Sequence, residues 1–212
     1  MGDIMNTTRA PKSKQAPDRI RLFEISSEQG GYFTTGQARA WGFSRSLLSH
    51  HVKTGRFIRV RRGLYRFREY PSSSREDVLA AWLAVGRGVA VVSHESALDI
   101  LGLSDVIPDA VHLSVPRSKR NLPSLSGVKI HTTTRPLRAE DRVVRNGMAV
   151  TSATRSIFDS AEAGTSPEQI EMAVSQAVER GLATARQLQR EASERGRRVA
   201  TLIVSALQKV KR

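Results

Sequence analysis

From residue 19 the apolar positions of the chain fall at helical spacing, with Ile20, Phe23 and Ile25 on one side, and the pattern stops at Gly30-Gly31. Thr34 or Thr35 is suited to cap a second, short helix over 36–41, ended by Gly42 in the tight turn that joins two crossing helices. Ser44 then caps a third helix running to about residue 54 and closed by Gly55. Apolar and basic residues alternate over 57–60 and again over 64–67, on either side of Arg61-Arg62-Gly63, which predicts a β-hairpin. Three helices followed by a hairpin is the order of a winged helix.

A second pattern begins after Tyr70-Pro71-Ser72-Ser73-Ser74, whose composition is that of a linker. Residues 78–85 are apolar on nearly every side, as in a buried helix, and 93–101 form another helix ended by Gly102. β-like runs follow at 111–115, 128–132 and 148–151. Further on, Ser166-Pro167-Glu168-Gln169 combines an N-cap, a first-turn proline and a capping-box glutamine, ahead of the stripe Ile170, Ala173, Val174, Ala177, Val178. Thr184 with Gln187 repeats the capping box, and Val199, Leu202, Ile203, Ala206, Leu207 and Val210 mark a last helix. The expected fold class is therefore α+β. A polar, proline-containing basic tail occupies 1–17, a winged helix-turn-helix domain 18–70, and a mixed domain with short strands and a helical end 76–212.

Charge sharpens this division. The 212 residues carry 34 Lys plus Arg against 20 Asp plus Glu, a net +14. Residues 1–75 hold 15 basic and 5 acidic side chains, net +10, whereas the remainder nets only +4. An anionic partner is thus expected at the N-terminal third. Projected at about 100° per residue, the third helix separates completely. Leu47, Leu48, His51 and Val52 share one arc, and Arg45, Ser46, Ser49, His50 and Lys53 the other. The second face offers only cationic and hydrogen-bonding groups, which suits a helix laid in a major groove. Arg45, Ser46 and Ser49 are the candidates for reading bases, His50 and Lys53 for positioning the helix on phosphates, and His51 for packing. In the hairpin, Arg56, Arg59, Arg61, Arg62, Arg66 and Arg68 fall within thirteen residues that include no acid. Mutually repelling guanidinium groups have a use if the hairpin lies along a phosphate backbone, with a tip arginine entering the minor groove. With Thr34, Thr35 and Ser44 at the helix starts, these residues other than Arg68 and the inward His51 make up the expected DNA-binding set.

Other chemistry is thinly represented. The absence of cysteine removes disulfides, thiolate nucleophiles and cysteine-based zinc sites. Asp99, Asp105, Asp109, Asp141 and Asp159 show no metal-ligand spacing, and His94-Glu95, about 100° apart on a helix, cannot converge on one atom. Neither catalytic nor metal-ligating residues nor a cofactor are expected. No apolar run approaches the roughly 18 residues of a membrane span, so a cytoplasmic location is expected, without a membrane partner.

The string Gly31-Tyr32-Phe33-Thr34-Thr35-Gly36-Gln37-Ala38, continued by Ser44-Arg45-Ser46-Leu47-Leu48 and Arg61-Arg62-Gly63-Leu64-Tyr65, resembles the N-terminal winged helix of AbiEi-type antitoxins. Downstream, Ser93-His94-Glu95-Ser96-Ala97-Leu98, Gly102-Leu103 and the run from Val150 to Asp159 resemble the C-terminal domain of the same family. The resemblance implies an antitoxin of a bacterial type IV toxin–antitoxin pair, of the kind associated with abortive infection and phage defence. It implies repression of the protein's own operon at promoter inverted repeats on double-stranded DNA, and hence association with the nucleoid. It further implies neutralisation of a nucleotidyltransferase-like toxin without the need for a stable complex. The alternatives carried by the residues alone are a winged-helix regulator or general nucleic-acid binder without an antitoxin role, and a nuclease built on the C-terminal domain.

Overall fold

A computed structural model describes residues 16–133 and 135–210; of the expected basic tail, residues 1–15 lie outside the described part. The chain divides into two compact units, one ending at Pro71 and the other beginning at Ser72.

The first unit runs α1 (Arg19–Ser27), β1 (Tyr32–Thr34), α2 (Thr35–Ala40), α3 (Arg45–Lys53), β2 (Phe57–Arg61) and β3 (Leu64–Phe67). Its sheet has the order β1-β3-β2, with both pairs antiparallel. Strand β1 is too short to announce itself by alternation; its three residues extend the hairpin on the β3 side. Leu22, Phe33, Ala38, Phe43, Leu48, Phe57 and Phe67 form the core, with Phe33, Phe57 and Phe67 meeting pairwise at centroid distances of 4.9–5.3 Å. Aromatic rings packed edge-on add to simple burial, which suits a unit this small.

The face expected for α1 is corrected. Leu22 and Ser26 are its buried positions, while Ile20 is 73% and Phe23 39% exposed. The buried stripe escapes an apolar count because one of its two members is a serine, whose Oγ is satisfied by donating to the Leu22 carbonyl at 2.7 Å. Beyond this helix Gly31 has φ +81°, and a Cβ there would overlap the Tyr70 side chain, so the position needs glycine on two counts.

The second unit comprises α4 (Glu76–Val85), β4 (Val91–Val92), α5 (His94–Leu101), β5 (Val111–Pro116), β6 (Val128–Thr133), β7 (Arg142–Arg145), β8 (Met148–Thr151), α6 (Ala153–Ala163), α7 (Pro167–Glu179), α8 (Ala185–Ser193) and α9 (Arg197–Val210). The sheet order is β6-β5-β4-β8-β7, with β5–β6 and β4–β8 parallel and the other pairs antiparallel. Side chains of α5 to α9 build one continuous core around Leu98, Ile157, Phe158, Ile170, Val174, Leu188 and Ile203. The α+β class holds across both units.

The glutamine expected to close a capping box at α7 acts otherwise. Ser166 accepts from the Gln169 backbone N–H, but the Gln169 side chain accepts from the Asp105 N–H at 3.0 Å, tying α7 to the loop after α5. The full reciprocal box is present at Thr184 and Gln187, and again at Thr34 and Gln37.

Candidate nucleic-acid interface

Local sequence fixes the ends of both helices that bear on the interface. Thr34 accepts from the Gln37 N–H while the Gln37 side chain accepts from the Thr34 N–H, so α2 starts at a closed capping box. Ser44 accepts from the Leu47 N–H and stands 2.9 Å from the Ser46 hydroxyl. Thr34 and Ser44 thus serve first as caps. Thr35 joins α2 to the hairpin, its N–H donating to the Gly63 carbonyl at 2.9 Å.

Helix α3 presents the two faces its sequence predicts. Leu48 is buried and Leu47, His51 and Val52 half-buried, whereas Arg45, Ser46, Ser49, His50 and Lys53 are exposed. The His51 ring packs on Phe57 at 4.9 Å and Phe43 at 5.9 Å, and burial, reinforced by Arg56, lowers its pKa below 6.5.

The hairpin aims its arginines unequally. A register shift between Arg59 and Arg61 and a turn through Gly63 at φ +80° re-aim the strand end. Arg56, Arg59 and Arg62 are exposed and Arg61 is half-buried. Among the described residues no carboxylate forms an ion pair with Arg45, Arg56, Arg59 or Arg62. Arg66 departs from the expected set: it is 8% exposed, donates from Nη2 to the Tyr70 carbonyl at 2.8 Å, and lies over the Tyr32 ring at 5.6 Å. It lies within β3, the central strand, where its neighbours enclose it, and its guanidinium fastens the end of the unit. Arg68 is likewise engaged, donating through Nε to the Gly55 carbonyl.

The remaining residues converge. A cleft of about 490 Å³ is lined by Thr35, Arg45, Ser49, Val52, Arg59, Arg62, Gly63 and Tyr65, so the polar face of α3 and the hairpin arginines share one concavity. An adjoining cleft of about 710 Å³ is lined by Thr35, Arg45, Ser44 and Ser46 together with Arg39. Sequence reasoning missed Arg39 because α2 is only six residues long and its exposed side was not projected. Its place in the last turn of the helix immediately before α3 is what could have marked it.

Several carboxylates of the second unit are engaged within it. Asp99 pairs with Arg75, Asp109 with Lys129, and Asp159 accepts from Arg155 Nε at 2.7 and 2.9 Å, so these three carboxylates stand apart in separate ion pairs. Asp141 accepts from the Arg138 backbone N–H. Glu95, beside His94, accepts from the Thr165 hydroxyl at 2.7 Å. Sequence reasoning weighed His94 only against its neighbour. The fold instead brings it to His112 on β5 and His131 on β6, with ring centroids 3.6 Å (His94–His131), 5.1 Å (His112–His131) and 5.7 Å (His94–His112) apart. Burial pushes His94 down to about 3 and His131 to about 4, and lowers His112 as well. The only sequence signal for this cluster is that two of the three histidines lie within the β-like runs at 111–115 and 128–132.

No described helix is long and apolar enough to cross a membrane. The family model AbiEi_4, described as "Transcriptional regulator, AbiEi antitoxin", matches residues 21–68. No curated protein sequence matches the chain. The crystal structure of RV2827C protein from Mycobacterium tuberculosis is similar at a TM-score of 0.60 with 17% identity, over 90% of this chain and 77% of that one. At this identity the likeness is one of fold. Residues 21–68, which span from α1 through the hairpin and carry the cleft just described, match the family of AbiEi antitoxin transcriptional regulators.

Proposed function

We propose that this protein is a DNA-binding repressor of its own promoter and the antitoxin of a type IV pair. Helix α3 enters the major groove, where Arg45, Ser46 and Ser49 address base edges and His50 and Lys53 the flanking phosphates. The hairpin follows the backbone through Arg56, Arg59, Arg61 and Arg62, with Thr34, Thr35, Ser44 and Arg39 at its flank. The observation that carries this reading is the shared concavity of Arg45, Ser49, Arg59 and Arg62, in which no acidic residue lies. Cations of one helix and one hairpin, held without acidic partners around a groove, have their electrostatic energy lowered only by an anion that reaches both.

The antitoxin half rests on the family match of residues 21–68 and on the motifs from Ser93 to Asp159. The toxin to be countered is nucleotidyltransferase-like, and the second unit carries that role in the bacterial cytoplasm, where the regulator meets its operator.

A gel shift of the protein with DNA from upstream of its gene, against excess scrambled competitor, tests the reading. Retention of the promoter fragment and its loss in Arg45→Ala and Ser49→Ala are expected. Equal competition by scrambled DNA would reduce the protein to a general nucleic-acid binder. Normal shifts by both variants would remove α3 as the reader.

A further inference from the structure

We propose that the second unit holds a zinc-class divalent transition-metal ion on His94, His112 and His131. Three of the five histidines in 212 residues come together here from three separate elements, the start of α5 and the parallel neighbours β5 and β6. One imidazole nitrogen from each lies within 4.8 Å of the others. Chance clustering of exposed groups is not at issue, since His94 and His112 are 8% and 4% exposed.

One pair, joined here by a hydrogen bond, already has the spacing of two ligands, and the stacked His94 and His131 rings would turn to aim their in-plane lone pairs at the ion. Two nitrogens bound at about 2.0–2.1 Å to a tetrahedral zinc stand about 3.3 Å apart; His131 Nε2 and His112 Nδ1 are 3.2 Å apart. Internal hydrogen bonding accounts for part of the cluster only. His94 Nδ1 has Ser93 Oγ at 2.8 Å, and His112 Nε2 is buried with no hydrogen bond, the Asp109 carboxylate lying 3.8 Å away. The Ser93 contact is where the partner of a ligating histidine belongs, while Asp109, bonded to Lys129, lies beyond hydrogen-bond reach of His112. A hydroxyl or carboxylate on the second ring nitrogen fixes the tautomer and turns the other nitrogen toward the ion. Ser93 is itself held by the Ser114 hydroxyl at 2.8 Å, one strand over.

Backbone geometry is consistent with a constrained site. His94 has φ +53°, a conformation that non-glycine residues adopt at some cost and that persists where the surroundings enforce it. The all-imidazole set selects zinc or a neighbouring first-row ion over magnesium or calcium, which take oxygen ligands. With three protein ligands the fourth position is open to water or to an anionic group from outside the chain.

The test uses the untagged full chain, stripped with a chelator and titrated with Co²⁺ and then Zn²⁺. One equivalent of cobalt is expected to give the intense visible bands of a four-coordinate ion, bleached by one equivalent of zinc, and zinc should raise the melting temperature. His131→Gln, at a half-buried position, should keep the circular dichroism of the native fold and lose the cobalt bands. The proposal is overturned if the wild-type chain shows neither cobalt bands nor a zinc-dependent melting shift, or if folded His131→Gln binds cobalt as the wild type does. The first of these results would leave a neutral, stacked histidine cluster whose role is packing.

Discussion

Eleven of the 27 arginines lie in residues 1–71 and sixteen in 72–212, and the two units use some of theirs in opposite ways. In the second, Arg75, Arg155 and Arg195 each meet a carboxylate at 2.8 Å or closer, and Arg155 and Asp159 do so while buried. In the first, Arg45, Arg56, Arg59 and Arg62 stand exposed around α3 and the hairpin with no acidic partner among the described residues. A fold under no external demand pairs its charges or spreads them. The first unit pairs Arg19 with Glu69 and Arg21 with Glu24 but leaves these four without a carboxylate, and that clustering supports the proposed anion-binding face more specifically than the net charge of +14 does.

The comparison can be broken from either side. The largest effect is expected from Asp159→Ala, which leaves the Arg155 guanidinium buried without its main partner. It should destabilise the second unit by about 3–5 kcal/mol in urea unfolding, and a loss below about 1 kcal/mol would show that Asp141, 3.9 Å away, suffices as partner. Arg45→Ala should do the reverse. Stability should change by no more than about 0.5 kcal/mol, while affinity for the promoter falls by about 1–3 kcal/mol, about 5- to 150-fold. Unequal use of arginines within the hairpin gives a finer cut. Arg62→Ala is expected to reduce the slope of log K against log salt by about 0.9, whereas Arg66→Ala should lower stability and leave the slope unchanged, because its guanidinium bonds the Tyr70 carbonyl.

The smallest effect concerns pH. Burial holds the pKa of His51 below 6.5, so the folded unit keeps it neutral while the unfolded chain takes up the proton first. Its contribution to stability is complete above pH 6.5 and is lost as the pH falls through the lowered folded value. The melting temperature of the winged helix should drop between pH 7.5 and 5.5, and His51→Leu should flatten that dependence. An identical dependence in the variant would place the titrating group elsewhere.

The first unit was largely legible in the sequence, because capping residues and glycines punctuate it and α3 has a clean apolar arc. What failed there failed for physical reasons. Ser26 is buried by bonding its own helix, so the inner face of α1 was read onto Ile20 and Phe23; Arg66 alternates correctly for a strand but points into the unit. In the second unit α6 was not foreseen as a helix. Arg155, Ser156, Asp159 and Ser160 are buried beside Ile157 and Phe158, so no apolar stripe survives. Pairing within the helix, Arg155 to Asp159, and the Ser156 hydroxyl donating to the Thr151 and Ser152 carbonyls offset the burial of those three, whereas the Ser160 Oγ is buried without a hydrogen bond. Strand β4 has two residues, and β7 is an edge strand with Val144 69% exposed, so neither shows alternation. The histidine cluster was invisible because it depends on β5 and β6 pairing in parallel, with His112 next to Lys129 and Ser114 next to His131 in register. Spacing along the chain says nothing about such a pairing.

The central claim, that the unpaired arginines of the first unit face DNA, is tested most directly by measuring promoter binding across a salt series with scrambled duplex as reference. About five phosphate contacts predict a log–log slope near −4.5, similar for both duplexes, with the promoter bound more tightly at every salt concentration. A slope near zero would contradict the account, whereas equal affinity for the two duplexes would keep the arginines on DNA and remove only the promoter specificity.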